Sequence, residues 1–222
     1  MISVTETINA PTFSPRRPLG EKVVYYPESD GKPMGETDWH IILITELFNT
    51  LRTYFQQESK TKVFADIMFY YEEDNPQKCI SPDVMVVKGI DKHLRRVFKL
   101  WEENVPEVVF EISLRKTWRD DLQKKYFLYQ KLGVKEYYIF DPEYKCLPET
   151  LLAYHLKGSE FKPIKMKRGR VFSPSLNLEI VDTGKTLRLY NPETQSFLPI
   201  MEELQTEVEK LKAELAKLKE QN

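Results

Sequence analysis

The sequence is poor in cysteine and has no long apolar stretch. Its 222 residues include two cysteines, Cys79 and Cys146, and neither lies in a Cys-x-x-Cys or Cys/His spacing, which argues against a zinc site. No segment approaches the ~18 consecutive apolar residues of a membrane span, and residues 1–20 lack the apolar core of a signal peptide. We therefore expect a cytoplasmic protein with reduced thiols and no membrane partner.

The sequence also has no large excess of positive or of negative charge. The chain has 33 Lys and Arg residues against 34 Asp and Glu residues, a net charge of −1. No global positive field therefore marks it as a nucleic-acid binder, although this balance is compatible with a local basic surface. The hydrophobic content of 41% and the charged content of 30% predict a packed core. The length suits one sizeable domain.

Apolar periodicity predicts a mixed α/β fold. Thr37 or Asp38 can cap a helix over about 38–57, and a second helix over 119–132 ends at Gly133, which suits a C-cap. Predicted strands cover 63–72, 81–89, 106–113 and 136–142, and short antiparallel strands are expected in the later segments LLAYHLK, FKPIKM and LRLYNP. This order predicts a mixed central sheet flanked by helices.

The tail of the chain differs from the rest. We expect a flexible arm at 1–20, a globular domain at 21–197 and a coiled-coil helix at 198–222. Apolar residues in the last part alternate spacings of three and four, as heptad positions a and d do: Met201, Leu204, Val208, Leu211, Leu215 and Leu218. In a parallel dimer, Glu207 and Glu214 at g would face Lys212 and Lys219 at e. Because about three heptads are marginal alone, the alternative is a helix folded back on its own domain.

Two acids stand in apolar strands. Asp83 opens the predicted strand at 81–89, and Glu111 lies near the end of the strand at 106–113. If these strands pair, both carboxylates and the Ile112 carbonyl could bind a hard cation such as Mg²⁺ or Mn²⁺. Lys125, on the following helix, could then orient water and offset negative charge on a phosphate. The alternative is that each acid points to solvent or pairs with a cation.

Longer motifs extend this pattern. From Asp30 to about Asn191 the chain resembles the PD-(D/E)XK nuclease superfamily and, more closely, the cyanobacteria-rich Uma-type family of putative restriction endonucleases. The matching motifs, in order, are DGKPMGETDWH, YYEEDNPQKCISPDVMVV, HLRRVFKLWEE, PEVVFEIS, the Asp121–Lys125–Tyr129 run, GVKEYYIFDP and LRLYNPET. The resemblance implies a restriction-endonuclease-like fold with a metal-dependent phosphodiesterase site and DNA as its partner.

The resemblance also implies roles for single residues. Asp83 matches the aspartate of the PD motif, and Glu111 matches the central acid. The usual lysine of the superfamily lies two residues after that acid, where this chain has Ser113. Lys125 on the helix is implied as its replacement, because it lies four residues after Asp121, whereas Lys124 is turned ~100° away. The Ser/Thr-rich turn of relatives is reduced here to Thr117.

Other residues could support the three candidate residues Asp83, Glu111 and Lys125. The resemblance implies that Glu36 could join the metal site, the alternative being an acid that favours the helix N-terminus. Asp121 could tether Lys125 at i,i+4, and the Tyr129 hydroxyl could reach the site. His40 is expected to pack or cap rather than to act in catalysis.

Three basic residues follow Glu111 closely and could contact a DNA backbone: Arg115, Lys116 and Arg119. The sequence thus predicts an endonuclease that depends on Mg²⁺ or Mn²⁺ and forms a homodimer. The alternative is a catalytically inactive DNA-binding or adaptor protein of nuclease fold that dimerises through its coiled coil.

Overall fold

The computed structural model describes residues 24–29, 37–184 and 186–220. The strands, in chain order, are β1 Thr61–Ala65, β2 Phe69–Tyr70, β3 Cys79–Ile80, β4 Val84–Lys88, β5 Phe98–Lys99, β6 Val108–Ile112, β7 Glu136–Phe140, β8 Leu151–Lys157, β9 Glu160–Pro163, β10 Arg170–Ser173, β11 Leu178–Asp182, β12 Leu187–Asn191 and β13 Ser196–Phe197. The helices are α1 Asp38–Tyr54, α2 Trp118–Asp120, α3 Tyr126–Leu132 and α4 Met201–Glu220. A 3₁₀ turn covers Leu100–Glu102, and a π-helical turn, Asp121–Lys125, joins α2 to α3. The predicted arm at 1–20 and Glu36 lie outside the described residues.

A six-stranded mixed sheet forms the centre of the molecule, in the order β1-β4-β6-β7-β8-β9. Only β6 and β7 run parallel, and each of the other neighbouring pairs in this sheet is antiparallel. Parallel strands need a long crossover, and the helical residues 118–132 between β6 and β7 supply it. The predicted mixed α/β sheet with helical cover is confirmed.

Both faces of this sheet are covered. Val84 and Val86 of β4 pack in one core with α1, whereas Met85 and Val87 pack in a second core with Tyr129 of α3. The apolar run in β4 therefore lacks a polar alternation because both of its faces are buried. Both faces of the sheet are thus buried around β4, the strand that follows Asp83.

A second, four-stranded sheet packs on α1. Its order is β10-β11-β12-β13, and Leu178, Ile180 and Leu189 share a core with Leu43 and Leu47 of α1. The sequence analysis placed short antiparallel strands near β8, β9 and β12, which is confirmed, but it predicted no strand at β10 or β11. Because these strands are short, their periodicity alone is a weak signal.

The predicted strand over 63–72 is wrong as a single element. The chain leaves β1 at Ala65 and begins β2 at Phe69, because Asp66 adopts a left-handed backbone conformation with φ 46°. Aspartate tolerates that region better than most residues. The Asp66 N–H donates to the carbonyl oxygens of Pro82 and Asp83, at 3.1 and 3.2 Å. The break therefore supports the turn that leads into β4.

The sequence of segment 91–105 predicts a loop with one helical turn, and the segment contains the 3₁₀ turn but also β5. β5 pairs in parallel with β2, and β2 pairs with β3, so the three form a small separate sheet. Two-residue strands carry almost no sequence signal, which explains why this sheet was not predicted.

The tail forms one helix, α4, as predicted. Arg188 of β12 contacts Glu203 in its first turn, with the Arg188 Nη2–Glu203 Oε2 distance at 2.9 Å. Residues 205–219 are exposed, and Leu211 of the heptad seam is 55% exposed. The structure therefore does not show the alternative of a seam folded back on its own domain. Among the described residues, no helix is long and apolar enough to cross a membrane.

Candidate active site

The two candidate acids lie side by side at one edge of the central sheet. Val84 is paired with Phe110 across the antiparallel β4–β6 ladder, so Asp83, one residue before, comes next to Glu111. The Ile112 N–H donates to Asp83 Oδ2 at 2.6 Å, which fixes this carboxylate against β6. The condition for bringing the two acids together, that these strands pair, is therefore met. The same edge holds the carboxyl ends of the parallel strands β6 and β7, a usual place for ligands in α/β sheets.

Glu111 is a buried carboxyl with two donors. It is 1% exposed. Lys125 Nζ donates to its Oε2 at 2.7 Å, and the Tyr129 hydroxyl donates to its Oε1 at 2.7 Å. Burial raises the pKa of Glu111 to about 8, and Asp83 and Asp121 add to the rise while Lys125 opposes it. Keeping a carboxyl in such a place costs free energy, which is a physical sign of a functional site.

Lys125, rather than Lys124, reaches the acids. Lys124 is exposed, whereas the Lys125 ammonium contacts Glu111 and lies 3.1 Å from Asp121 Oδ1. Burial alone would lower the pKa of Lys125, but the nearby carboxylates of Glu111, Asp121 and Asp83 raise it well above its ordinary value. The ammonium therefore stays charged at neutral pH and acts as a hydrogen-bond donor, not as a base.

Lys125 ends the π-helical turn that joins α2 to α3. Such turns occur frequently at functional sites. The sequence predicts a continuous helix over 119–132, and the structure has helical residues from 118 to 132 with this turn inside. The predicted cap is confirmed, since Gly133 ends α3 with φ 86°.

Asp121 and Ser113 form a second buried pair behind the lysine. The Ser113 hydroxyl donates to Asp121 Oδ2 at 2.8 Å, and the Tyr137 hydroxyl donates to the Asp121 carbonyl oxygen at 3.0 Å. Burial raises the pKa of Asp121, against the effects of Lys125 and the Ser113 hydrogen bond. In the sequence, Ser113 stands out only as the place of a missing lysine, and Tyr137 does not stand out. The strand alternation was the available signal, because residues 111 and 113 point to the same face.

His40 is buried, as expected for a packing histidine, and its ring also lies at the candidate acids. Thr37 caps α1 by accepting a hydrogen bond from the His40 N–H at 3.3 Å. The His40 ring lies at the acids, with Nε2 at 3.0 Å from the Ile112 carbonyl oxygen and 3.4 Å from Asp83 Oδ2. His40 belongs to the buried helical face that also carries Leu43 and Leu47, so periodicity marks it as buried but not as part of a site.

The donor set at this edge is made of oxygen atoms. Among residues 24–29, 37–184 and 186–220, no group of three or more His, Cys, Asp or Glu side chains is arranged to hold a metal ion. The ligands predicted from the sequence are fewer, namely the carboxylates of Asp83 and Glu111 together with the Ile112 carbonyl. Each of these oxygens has two lone pairs, so a present hydrogen bond leaves room for a cation. Oxygen ligands of this kind are those that Mg²⁺ and Mn²⁺ prefer.

Three exposed cations follow β6. Arg115, Lys116 and Arg119 are all exposed, and Arg119 lies with its guanidinium carbon 5.1 Å from the centre of the Trp118 ring. Arg115 Nε is 4.0 Å from Glu143 Oε2, the limit of an ion pair. These residues begin four positions after Glu111 in the chain, and their contact with DNA stays a prediction.

Comparisons with known proteins place the chain in a family. The model of the Uma2 family, described as "Putative restriction endonuclease", matches residues 22–187. A crystal structure described as a putative nuclease belonging to DUF820 from Anabaena variabilis ATCC 29413 is similar at 16% sequence identity. The TM-score is 0.48, over 65% of this chain and 76% of that chain. No curated protein matches. Because the family model covers most of the chain, this protein belongs to the Uma2 family of putative restriction endonucleases.

Proposed function

We propose that this protein is a metal-dependent endonuclease that hydrolyses phosphodiester bonds in DNA. The family supports a nuclease in general terms. The single observation that carries the finer proposal is the convergence at Glu111. This buried acid lies beside Asp83, and its Oε2 accepts a hydrogen bond from Lys125 Nζ at 2.7 Å.

Asp83, Glu111 and the Ile112 carbonyl would hold the cation, Mg²⁺ or Mn²⁺. A cation there would lower the pKa of a bound water and offset charge on a phosphate oxygen. The protein's own contribution is to keep these oxygens fixed before any cation binds. The Ile112 N–H holds Asp83, and the Tyr129 hydroxyl holds Glu111.

Lys125 would act as an electrostatic and orienting group. Its ammonium remains charged because acids surround it, so it can donate a hydrogen bond to the attacking water or to a phosphate oxygen as negative charge develops there. The exposed residues Arg115, Lys116 and Arg119 would contact the DNA backbone beside the site.

Metal binding and DNA cleavage test the proposal together. Calorimetric titration with Mg²⁺ and Mn²⁺ should show a binding site in the wild type that Asp83→Ala loses. Cleavage of several DNA forms should fall by about 10²-fold or more in Glu111→Ala and Lys125→Ala, the size expected when one preorganised charged group is removed. A chelator of divalent cations should abolish DNA cleavage by the wild type.

Lys124→Ala is the matched control, since Lys124 precedes Lys125 but is exposed, and it should cleave as the wild type does. Equal cleavage by the Glu111→Ala variant and the wild type would show that the site is wrong or that the activity is a contaminant.

A second candidate function is an inactive adaptor that keeps the nuclease fold and recruits partners through α4. The exposed seam of α4 favours it, as does the absence of a lysine at position 113. Binding of DNA without any metal site or cleavage would favour the adaptor. For both functions we propose a homodimer joined through α4.

A further inference from the structure

We propose that Ser113 and Asp121 are positioning residues that hold the Lys125 ammonium against Glu111. The inference deepens the proposed nuclease site and rests on it. It assigns a role to the residue that occupies the superfamily's usual lysine position in this chain, and to the acid that follows it.

Asp121 is fixed more firmly than a surface tether would be. It is 1% exposed. Its Oδ2 accepts the Ser113 hydroxyl at 2.8 Å, and its carbonyl oxygen accepts the Tyr137 hydroxyl at 3.0 Å. Its N–H donates to the Thr117 carbonyl at 3.1 Å. Both its backbone and its side chain are therefore held in place.

The fixed carboxylate directs its second oxygen to the lysine. Asp121 Oδ1 lies 3.1 Å from Lys125 Nζ, while Glu111 Oε2 lies 2.7 Å from the same nitrogen. A lysine side chain has several rotatable bonds, and fixing it in one position costs conformational entropy. Two carboxylates on different elements define one position for the ammonium, whereas Glu111 alone would leave the side chain free to rotate about one contact.

Ser113 sets the orientation of that carboxylate. Its own backbone is fixed, because the Ser113 N–H donates to the Phe140 carbonyl at 2.7 Å and so ties the end of β6 to β7. Its hydroxyl is the side-chain donor to Asp121 Oδ2. Without it, the carboxylate could turn away from Lys125. Ser113, at the end of β6, thus contacts Asp121, Asp121 contacts Lys125, and Lys125 contacts Glu111 of β6.

Lysine labelling tests this in the full-length protein without relying on cleavage. Wild type, Asp121→Asn and Ser113→Ala are treated briefly with an amine-specific acylating reagent, and mass spectrometry measures the modified fraction of Lys125 and of Lys124. Loss of the ion pair between Asp121 Oδ1 and Lys125 Nζ should correspond to about tenfold. We therefore expect Lys125 labelling to rise by about that factor in Asp121→Asn and less in Ser113→Ala, with Lys124 unchanged.

Asp120→Asn is the matched control, because Asp120 is the exposed neighbour of Asp121. Melting temperatures verify that each variant is folded, and Ser113→Ala removes only a hydroxyl if Asp121→Asn should fail to fold. Unchanged Lys125 labelling in the folded variants, or an equal rise for Lys124, overturns the proposal.

Cleavage kinetics separate this proposal from the proposed function. We expect Asp121→Asn to lower kcat about tenfold with KM unchanged, since Lys125 is proposed to act as negative charge develops in the transition state and not in ground-state binding of DNA. If Lys125→Ala abolishes cleavage while both variants cleave as the wild type, positioning fails and the nuclease stands. If Lys125→Ala cleaves as the wild type, the nuclease site fails, and the labelling alone decides the positioning.

Discussion

A buried carboxyl is costly unless something compensates for it, and Glu111 shows how residues at this site do so. Apolar neighbours on β6 identified it as unusual in the sequence. The compensation comes from Lys125 and the Tyr129 hydroxyl, which are 14 and 18 residues away along the chain. The sequence could therefore name the acid, while the choice between Lys124 and Lys125 depended on helix register.

The basic residues after β6 make a separate prediction at the residue scale. Replacing Arg115, Lys116 and Arg119 together by alanine should weaken DNA binding and flatten its salt dependence. Each lost phosphate contact reduces the slope of log K against log salt by about 0.9, so the triple variant should lose ~2–3 in slope. Fluorescence anisotropy with labelled DNA over a range of salt concentrations measures both quantities.

Lys157→Ala provides the comparison for that experiment. Lys157 is exposed at the end of β8 away from the site, since Leu151 at the other end pairs with Phe140. The slope of log K against log salt for the Lys157→Ala variant should equal that of the wild type. A slope unchanged in the triple variant would remove this surface from the DNA interface.

At the scale of elements, local signals predicted the helices well and the strand limits less well. The Thr37 cap and the Gly133 end of α3 both follow from residue chemistry and are confirmed. The π-helical turn at Asp121–Lys125 was not predicted, because it depends on packing against β6 and β7 rather than on propensity. The break after β1 was missed for a similar reason, since Asp66 is held by the carbonyls of a later turn.

The loop after β7 makes a prediction that depends on pH. Asp141 is buried, and its carboxylate accepts the backbone N–H groups of Glu143, Lys145 and Leu147 at 3.1, 2.8 and 3.1 Å. Burial would raise the pKa of Asp141, but backbone hydrogen bonds lower it below its ordinary value. The stability contributed by such a group is present above the unfolded pKa and is lost as pH falls through the folded pKa.

Asp141→Asn should therefore reduce the free energy of unfolding at pH 7 by about 1–3 kcal/mol. The difference from the wild type should shrink as the pH falls below about 4. Denaturant unfolding across this pH range measures it. Glu143→Gln, which changes an exposed acid of the same loop, should show no such trend. A difference that stays constant with pH would mean that the charge of Asp141 is not responsible.

At the scale of the whole molecule, two layers enclose the central sheet, and α4 extends beyond it. α1 and the β10–β13 sheet cover one face, while α3 contributes to the core on the other. The exposed apolar seam of α4 has acidic g and basic e positions, a charge pattern that fits a second parallel copy. We expect the protein to form a homodimer with twice the 26.3 kDa chain mass.

Sedimentation equilibrium at tens of micromolar can measure this assembly. Leu211→Glu combined with Leu215→Glu places charges in the seam and should give a monomer, since about three heptads have little stability to spare. Ala213→Glu, which lies at the outer f position between them, should stay dimeric. A monomeric wild type, or a double variant that remains a dimer, would contradict assembly through this seam.

The sequence by itself determined the α/β class, the main helices and the tail helix, because these depend on local periodicity, and it named the two acids as candidates from charge placed within apolar strands and from the family resemblance. Only the tertiary structure decided that Lys125 and Tyr129 share Glu111, that His40 lies at Ile112 and Asp83, and that Ser113 holds Asp121. The physical reason is that these contacts join elements far apart in the chain. Their distances are set by strand register and crossover packing, which no local pattern records.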